Sequence, residues 1–338
     1  MHKGFRWIRS RLLILLLAGV LPAHAQTAPP HESGYRYYEI GDLQAPRAAH
    51  TEPAMMLMGG GEWVPAAFRW WLARAGQGRV VILRASGGDD LQQRLFRDIG
   101  GVASVQTLVF DSRRAADDPA VLRVIAGADA IFIAGGDQAR YIRFWKGTAL
   151  NAALNAHIRA GRPIAGTSAG LAILGGYSYG ALDGGSVTSA AALRDPMGSA
   201  VTLDSDFLAM PYLSRVVTDT HFGKRDRLGR LIVFVARAAR QSGQPDMVGL
   251  GVDEDTALCV DAEGDGQVFS RDGGYAWLVM PRHAAPRLRA GDPLDLPATA
   301  VTGVGEGSRL HLAGFRVEDP AFRMTADIRH GTLQLRPE

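Results

Sequence analysis

Between residues 54 and 166 the chain alternates short, almost unbroken apolar runs with amphipathic stretches, and this alternation restricts the fold more than any other feature. The runs are AMMLM (54–58), RVVILRA (79–85), VQTLVF (105–110), AIFIAGG (130–136) and RPIAG (162–166). The spacing predicts helices over 64–75, 90–99, 118–127, 138–145 and 148–160. A strand that is apolar on nearly every residue must be covered on both faces, and alternating helices supply both covers. The expected class is therefore α/β, a doubly wound, mostly parallel, flavodoxin-like sheet with sites outside the carboxyl ends of its strands. Later strands are expected at 215–219, 249–253 and 256–260. Residues 177–214 read as a loop-rich stretch, and short strands and turns from about 261 onward form a β-rich ending.

The amino terminus has a different logic. Lys3, Arg6, Arg9 and Arg11 precede ten apolar residues, Leu12 to Leu21, and then Ala23-His24-Ala25. A basic start, a short apolar core and a small-x-small end make a signal peptide with cleavage after Ala25. Ten apolar residues are too few to span a bilayer, and no cysteine stands at the cut to carry a lipid. The expectation is export to the periplasm or beyond, with no stable membrane anchor. The expected organisation is a signal peptide (1–25), a leader segment (26–50), an α/β domain (51–280) and a β-rich C-terminal extension (281–338).

Removal of the signal changes the charge. The full chain has 37 basic and 34 acidic residues; without the four basic residues of the signal it has 33 against 34, a net charge of −1. Nothing in that balance points to nucleic acid. The only cysteine, Cys259, lies in the apolar run TALCV and has no internal partner for a disulfide.

Three unusual loops fall at the expected carboxyl edge: MGGGEW after the first strand, GGDQ after the fourth and GTSAG after the fifth. Gly166-Thr167-Ser168-Ala169-Gly170 has the spacing G-x-S-x-G, which holds a nucleophilic serine on a tight strand-to-helix bend. It also fits an ordinary glycine-rich turn. A serine nucleophile needs a base, a group to orient that base, and donors for an oxyanion. His221 follows an apolar strand and precedes a helix whose Leu228, Leu231, Ile232, Val235 and Ala238 share a face. The remaining histidines of the mature chain, at positions 31, 50, 157, 283, 311 and 330, lie in leader, helix or tail segments. The orienting carboxylate is expected among Asp253, Glu254 and Asp255, with the choice open. Oxyanion donors are expected from the backbone of Ala169 and of Gly60 or Gly61. No H-E-x-x-H and no Cys/His cluster is present, and DAEGDG (261–266) lacks the ligand positions of a calcium loop. Neither a metal nor another cofactor is expected.

Four blocks in order, IFIAGGDQARYIRFWKGTAL, RPIAGTSAGLAILGG, TDTHFGKRDRLGRL and GLGVDEDTAL, resemble the cyanophycinase branch of the peptidase E-like serine peptidases. The resemblance covers about residues 54–260. It implies a class I glutamine-amidotransferase-like sheet with serine in place of the thiol nucleophile. It further implies Ser168 as nucleophile, His221 as base and Glu254 as its partner, with Gln138, Arg225 and Arg227 shaping the substrate pocket and no metal. Such enzymes cleave cyanophycin, a polyaspartate with arginine on each β-carboxyl, to β-Asp-Arg dipeptides. One position departs from the pattern: Thr220 stands where these enzymes carry glutamine, replacing a long amide by a short hydroxyl next to the base.

The leading expectation is an exported serine exopeptidase acting on aspartyl or β-aspartyl bonds of a peptide or a cyanophycin-like polymer. A homodimer is left open. One competing reading is an esterase or lipase of α/β-hydrolase type with the order Ser168, Asp253, His283. Another is a non-catalytic binding protein on the same scaffold.

Overall fold

The computed structural model describes residues 34–283 and 288–338. The signal peptide and the start of the leader lie outside the described residues. The first half of the chain runs β1 (Tyr35–Gly41), β2 (Met55–Met58), α1 (Pro65–Arg74), β3 (Arg79–Arg84), α2 (Asp90–Gln93), β4 (Ser104–Phe110), α3 (Pro119–Gly127), β5 (Ala130–Ile133), α4 (Gln138–Trp145), α5 (Ala149–Arg159), β6 (Ile164–Thr167) and α6 (Ala169–Ala172). Every apolar run singled out in this half is a strand, and each intervening pattern is helical.

Strands β4, β3, β5, β6 and β2 lie side by side in that order, all parallel. Counted from β3, the order is the flavodoxin-like 2-1-3-4, and β2 fills the fifth place although it comes first in the chain. That inversion matters for the site. It sets Met58 opposite Thr167 in the register, so the glycine loop after β2 emerges beside Ser168. Strand β2 is buried throughout, and its alternation feeds two cores. Met55 and Leu57 pack with Leu83, Ile133 and Trp145 on one face, while Met56 and Met58 pack with Phe68, Trp71 and Phe132 on the other.

The second half runs β7 (Tyr177–Tyr179), α7 (Ser189–Arg194), β8 (Leu203–Ser205), β9 (Val216–Asp219), α8 (Leu228–Ser242), β10 (Val248–Val252), β11 (Thr256–Val260), β12 (Asp265–Ser270), β13 (Ala276–Pro281), β14 (Leu296–Val304), β15 (Arg309–His311), β16 (Arg316–Glu318), β17 (Phe322–Arg329) and β18 (Thr332–Pro337). Strand β11 pairs antiparallel with β2, and β12, β15 and β16 continue that sheet. The free edge of β2 is thus taken by β11, which leaves no place there for β9 or β10. Those two strands pair with each other and with β7 in a second sheet, which β13, β14, β17 and β18 extend. The single edge expected for Ser168 and His221 is therefore the meeting line of two sheets.

Specific contacts dock the sheets. Thr218 Oγ1 on β9 donates to the carbonyls of Leu171 and Ala172 at the end of α6 (3.2 and 3.1 Å). Backbone bonds stitch the junction: His221 N to Gly59 O, Ser168 N to Met58 O and Asp255 N to Gly60 O, at 2.8–3.1 Å. A β-carbon on Gly176 would lie 2.3 Å from Ser214 O, so only glycine lets the chain turn from α6 into β7 at this crossing.

Four elements were not evident in the sequence. Part of the leader segment forms β1, an edge strand antiparallel to β4, and the loop-rich stretch contains β7, α7 and β8.

Candidate active site

Ser168 occupies the step from β6 into α6 with φ 50° and ψ −119°, a conformation that costs a non-glycine residue on the order of 1–3 kcal/mol. The strain sits on the serine itself. The flanking glycines contribute space: a β-carbon on Gly166 would lie 2.6 Å from Gly170 O, and one on Gly170 only 2.1 Å from Ile133 O. The motif is thus a bend closed so tightly on itself at Gly166, and against β5 at Gly170, that neither glycine tolerates a side chain. At its apex the half-buried Ser168 presents Oγ 2.6 Å from His221 Nε2.

His221 follows β9 and also has a left-handed backbone, with φ 47°. Its Nδ1 is 2.6 Å from Glu254 Oε1. An ionised carboxylate only accepts hydrogen bonds, so Nδ1 carries the proton and Nε2 is left to accept from the serine hydroxyl. Burial is the largest influence on the imidazole and lowers its pKa; the bond to Glu254 works in the opposite direction, and Arg225 and Arg227 add to the lowering. The ring is thereby kept neutral, as a base must be before it takes a proton.

The three neighbouring carboxylates on the β10–β11 turn have separate tasks. Glu254 meets the histidine. Asp253 accepts from Gly223 N, Tyr275 N and Trp277 Nε1 at 2.8–3.0 Å. Asp255 accepts from Glu62 N and faces Gly61. Of the three, Glu254 is the one whose carboxylate meets His221. Asp253, the acid of the esterase-type order, is taken up by two backbone amides and the Trp277 indole.

Gly60 and Gly61 lie on the histidine's side. A β-carbon on Gly60 would sit 2.3 Å from His221 Cε1, and one on Gly61 would sit 2.1 Å from Asp255 Oδ1. On the serine's side the neighbour is Gly135, whose β-carbon position is 3.3 Å from Ser168 Cβ and 3.8 Å from Oγ. The amides of Gly60, Gly61, Gly135 and Ala169 donate to no acceptor among the described residues. Gly135 lies on the GGDQ loop, which the sequence places on this edge without marking its amide.

Of Gln138, Arg225, Arg227 and Thr220, the first two reach solvent. Gln138 begins α4 and donates from Nε2 to Tyr179 O (3.0 Å), leaving its carbonyl oxygen uncommitted; Arg225 is half exposed, with Nε 3.9 Å from Glu254 Oε1. The other two stand behind the base. Thr220 is buried, and Arg227 Nη1 donates to its carbonyl (2.7 Å) and its hydroxyl (3.2 Å).

Arg227 belongs to a buried network. Asp219 takes two bonds from Arg230, at 2.8 and 2.6 Å, while Arg230 Nη1 also donates to Ser186 Oγ and Val187 O. Both members of the pair are only 2–3 % exposed at the side chain. This pair fixes the 180–188 loop to β9, directly before the base. Arg230→Met is expected to lower unfolding free energy by about 3 kcal/mol, because Asp219 loses both bonds from its nearest cation and stays buried with only the amide of Thr220 and the longer contact to Arg227. Guanidinium titration measures the loss, and a change within about 0.5 kcal/mol would rule out this account.

With this geometry in view, comparison with known proteins is decisive. The model of peptidase family S51 matches residues 91–264, just over half of the chain and a span that carries Ser168, His221 and Glu254. The chain belongs to peptidase family S51. As an S51 member it is a serine-type peptidase, a hydrolase. A cyanophycinase of Trichormus variabilis is 28% identical over 288 residues, covering 80% of this chain and 89% of that protein. A cyanophycinase of Synechococcus elongatus is 34% identical over 206 residues, covering 60% and 58% respectively. Among solved structures, a peptidase from an acI-B1 Actinobacterium superposes with a TM-score of 0.49 at 17% identity, covering 78% of this chain and 98% of that one. Among the described residues of this S51 peptidase, no group of three or more His, Cys, Asp or Glu side chains is arranged to hold a metal ion, and no helix is long and apolar enough to cross a membrane.

Proposed function

We propose that this chain is an exported serine exopeptidase that hydrolyses aspartyl or β-aspartyl bonds, in the manner of a cyanophycinase, by a Ser-His-Glu acyl-enzyme mechanism. The observation that carries the reading is the continuous chain Ser168 Oγ–His221 Nε2 and His221 Nδ1–Glu254 Oε1, 2.6 Å at each step, on a serine held in a strained bend. That bend is then a nucleophile elbow.

Ser168 Oγ attacks the scissile carbonyl carbon while its proton passes to His221 Nε2. The carbonyl oxygen becomes an oxyanion, received by backbone amides at Ala169 and in the glycine loops around it, with Gly60, Gly61 and Gly135 as the sources. Collapse breaks the C–N bond, and the leaving amine takes the proton from Nε2. Water then attacks the acyl-enzyme, giving its proton to His221, and the free acid departs as Ser168 regains its own. Glu254 stays ionised throughout and stabilises the imidazolium each time it forms.

Gln138 and Arg225 are the side chains placed to touch substrate. A carbonyl acceptor and a guanidinium suit a substrate offering both an amide or guanidinium donor and a carboxylate, as an aspartyl-arginine unit does. Thr220 and Arg227 shape the pocket from behind by holding the backbone of the base.

Digestion of cyanophycin, α- and β-aspartyl dipeptides and aryl esters, read by mass spectrometry, tests the proposal. Release of aspartyl or β-aspartyl products is expected, from a protein whose secreted form begins at Gln26 in the same spectra. Hydrolysis confined to the aryl esters would overturn the peptidase specificity, and a retained signal sequence would overturn export.

A further inference from the structure

The carboxylate that meets His221 is gripped on both oxygens. While Oε1 is 2.6 Å from the imidazole, Oε2 is 2.8 Å from Lys224 Nζ. The terminal torsion of a glutamate is broad and weakly restrained, so a carboxylate bonded through one oxygen alone can swing out of line with the ring. We propose that Lys224 is a positioning residue: its ammonium anchors the outer oxygen of Glu254 and so holds the inner oxygen against His221 through both proton transfers. This inference rests on the reading of Ser168, His221 and Glu254 given above.

The loop that carries the lysine is itself fixed. Phe222, next to the base, is buried against Gly251, where a β-carbon would lie 2.4 Å from its ring. Gly223 N donates to Asp253 Oδ1, one residue from Glu254, and Arg225 N donates to His221 O (3.1 Å). Lys224 therefore leaves the backbone at a point tied on each side to the residues it serves. Its own side chain is 73% exposed, whereas that of Glu254 is 17% exposed, so the anchor approaches from solvent onto a sheltered carboxylate.

Lys224 also carries a charge, whose effect runs opposite to the anchoring. The charged groups around the imidazole are Lys224, Arg225 and Arg227 on its own loop and Asp253, Glu254 and Asp255 on the opposite turn. Beyond them, Glu62 at the end of the glycine loop pairs with Arg94. A cation beside Glu254 partly offsets the field that stabilises imidazolium. Removing it raises the His221 pKa and moves the acid limb of the rate profile to higher pH. Charge removal alone would therefore leave the high-pH plateau of kcat unchanged or raise it, whereas loss of an anchor lowers it.

Lys224→Met and Lys224→Arg in the full chain separate the two effects. Lys224→Met is expected to lower plateau kcat roughly two- to fivefold, in the range of a partly exposed ion pair, with KM unchanged and the acid limb shifted upward. Lys224→Arg, which restores a donor to Oε2, is expected to recover the plateau. A plateau equal to or above wild type in Lys224→Met, a change in KM alone, or no recovery in Lys224→Arg would each overturn the inference. If Ser168→Ala also remained active, the reading of the site would fail with it; if Ser168→Ala is inactive while Lys224→Met matches wild type, only this inference fails.

Discussion

Ser168→Ala is expected to lower kcat by on the order of 10⁶ while leaving substrate binding and stability close to wild type. In the proposed mechanism the hydroxyl forms the acyl-enzyme, so its removal leaves His221 and Glu254 aligned on nothing. Fold should survive because alanine meets the same backbone strain at φ 50° as serine and loses only a half-buried hydroxyl. Product release from an aspartyl peptide, followed alongside circular dichroism and ligand retention, measures each part. Hydrolysis at the wild-type rate by a folded Ser168→Ala protein would remove Ser168 from the mechanism.

Glu254→Gln is the second large effect, with an expected loss of about 10⁴ in kcat and little change in stability. Lys224 only donates hydrogen bonds, so it would draw the glutamine oxygen to itself and turn the amide nitrogen toward His221 Nδ1. The imidazole must then accept at Nδ1 and carry its proton on Nε2, facing the serine with a donor where a base is needed. The shape of the site is kept, and the tautomer is wrong. Steady-state kinetics at the pH plateau give the size of the loss. A fall of tenfold or less would mean that Glu254 does not set the tautomer of the base.

The elements of the first half were legible because a parallel strand buried on both faces writes its environment into consecutive residues, as MMLM and AIFI do. The candidate site was partly legible for a related reason: Ser168, His221 and Glu254 each stand within two residues of a strand end, where sites form, although the choice of Glu254 over Asp253 and Asp255 came from the family resemblance. What stayed hidden depends on pairing. Nothing in TALCV says that it will take the free edge of Met55–Met58 in antiparallel register and displace Val216–Asp219 into a second sheet. That outcome is a competition between partners far apart in the chain. Tyr35–Gly41 stayed hidden because an edge strand is only half covered, so YRYYEIG lacks the apolar run by which the buried strands were found. What the sequence could not show at Gly60 is distance: only the position of the His221 ring reveals that the missing side chain also makes room for the imidazole.

The meeting of two sheets at Ser168 has a consequence for what an activity assay reports. Ser168 follows β6 of one sheet, and His221 and Glu254 follow β9 and β10 of the other. Each sheet has its own ladder of hydrogen bonds, so a shift at the seam alone would part Oγ from Nε2 without breaking either ladder. Turnover in this enzyme is therefore a gauge of registration across a seam, as a key turns only when both halves of a lock are aligned. Mild denaturant or a cavity at Thr218 should silence it while the secondary structure of both halves still stands.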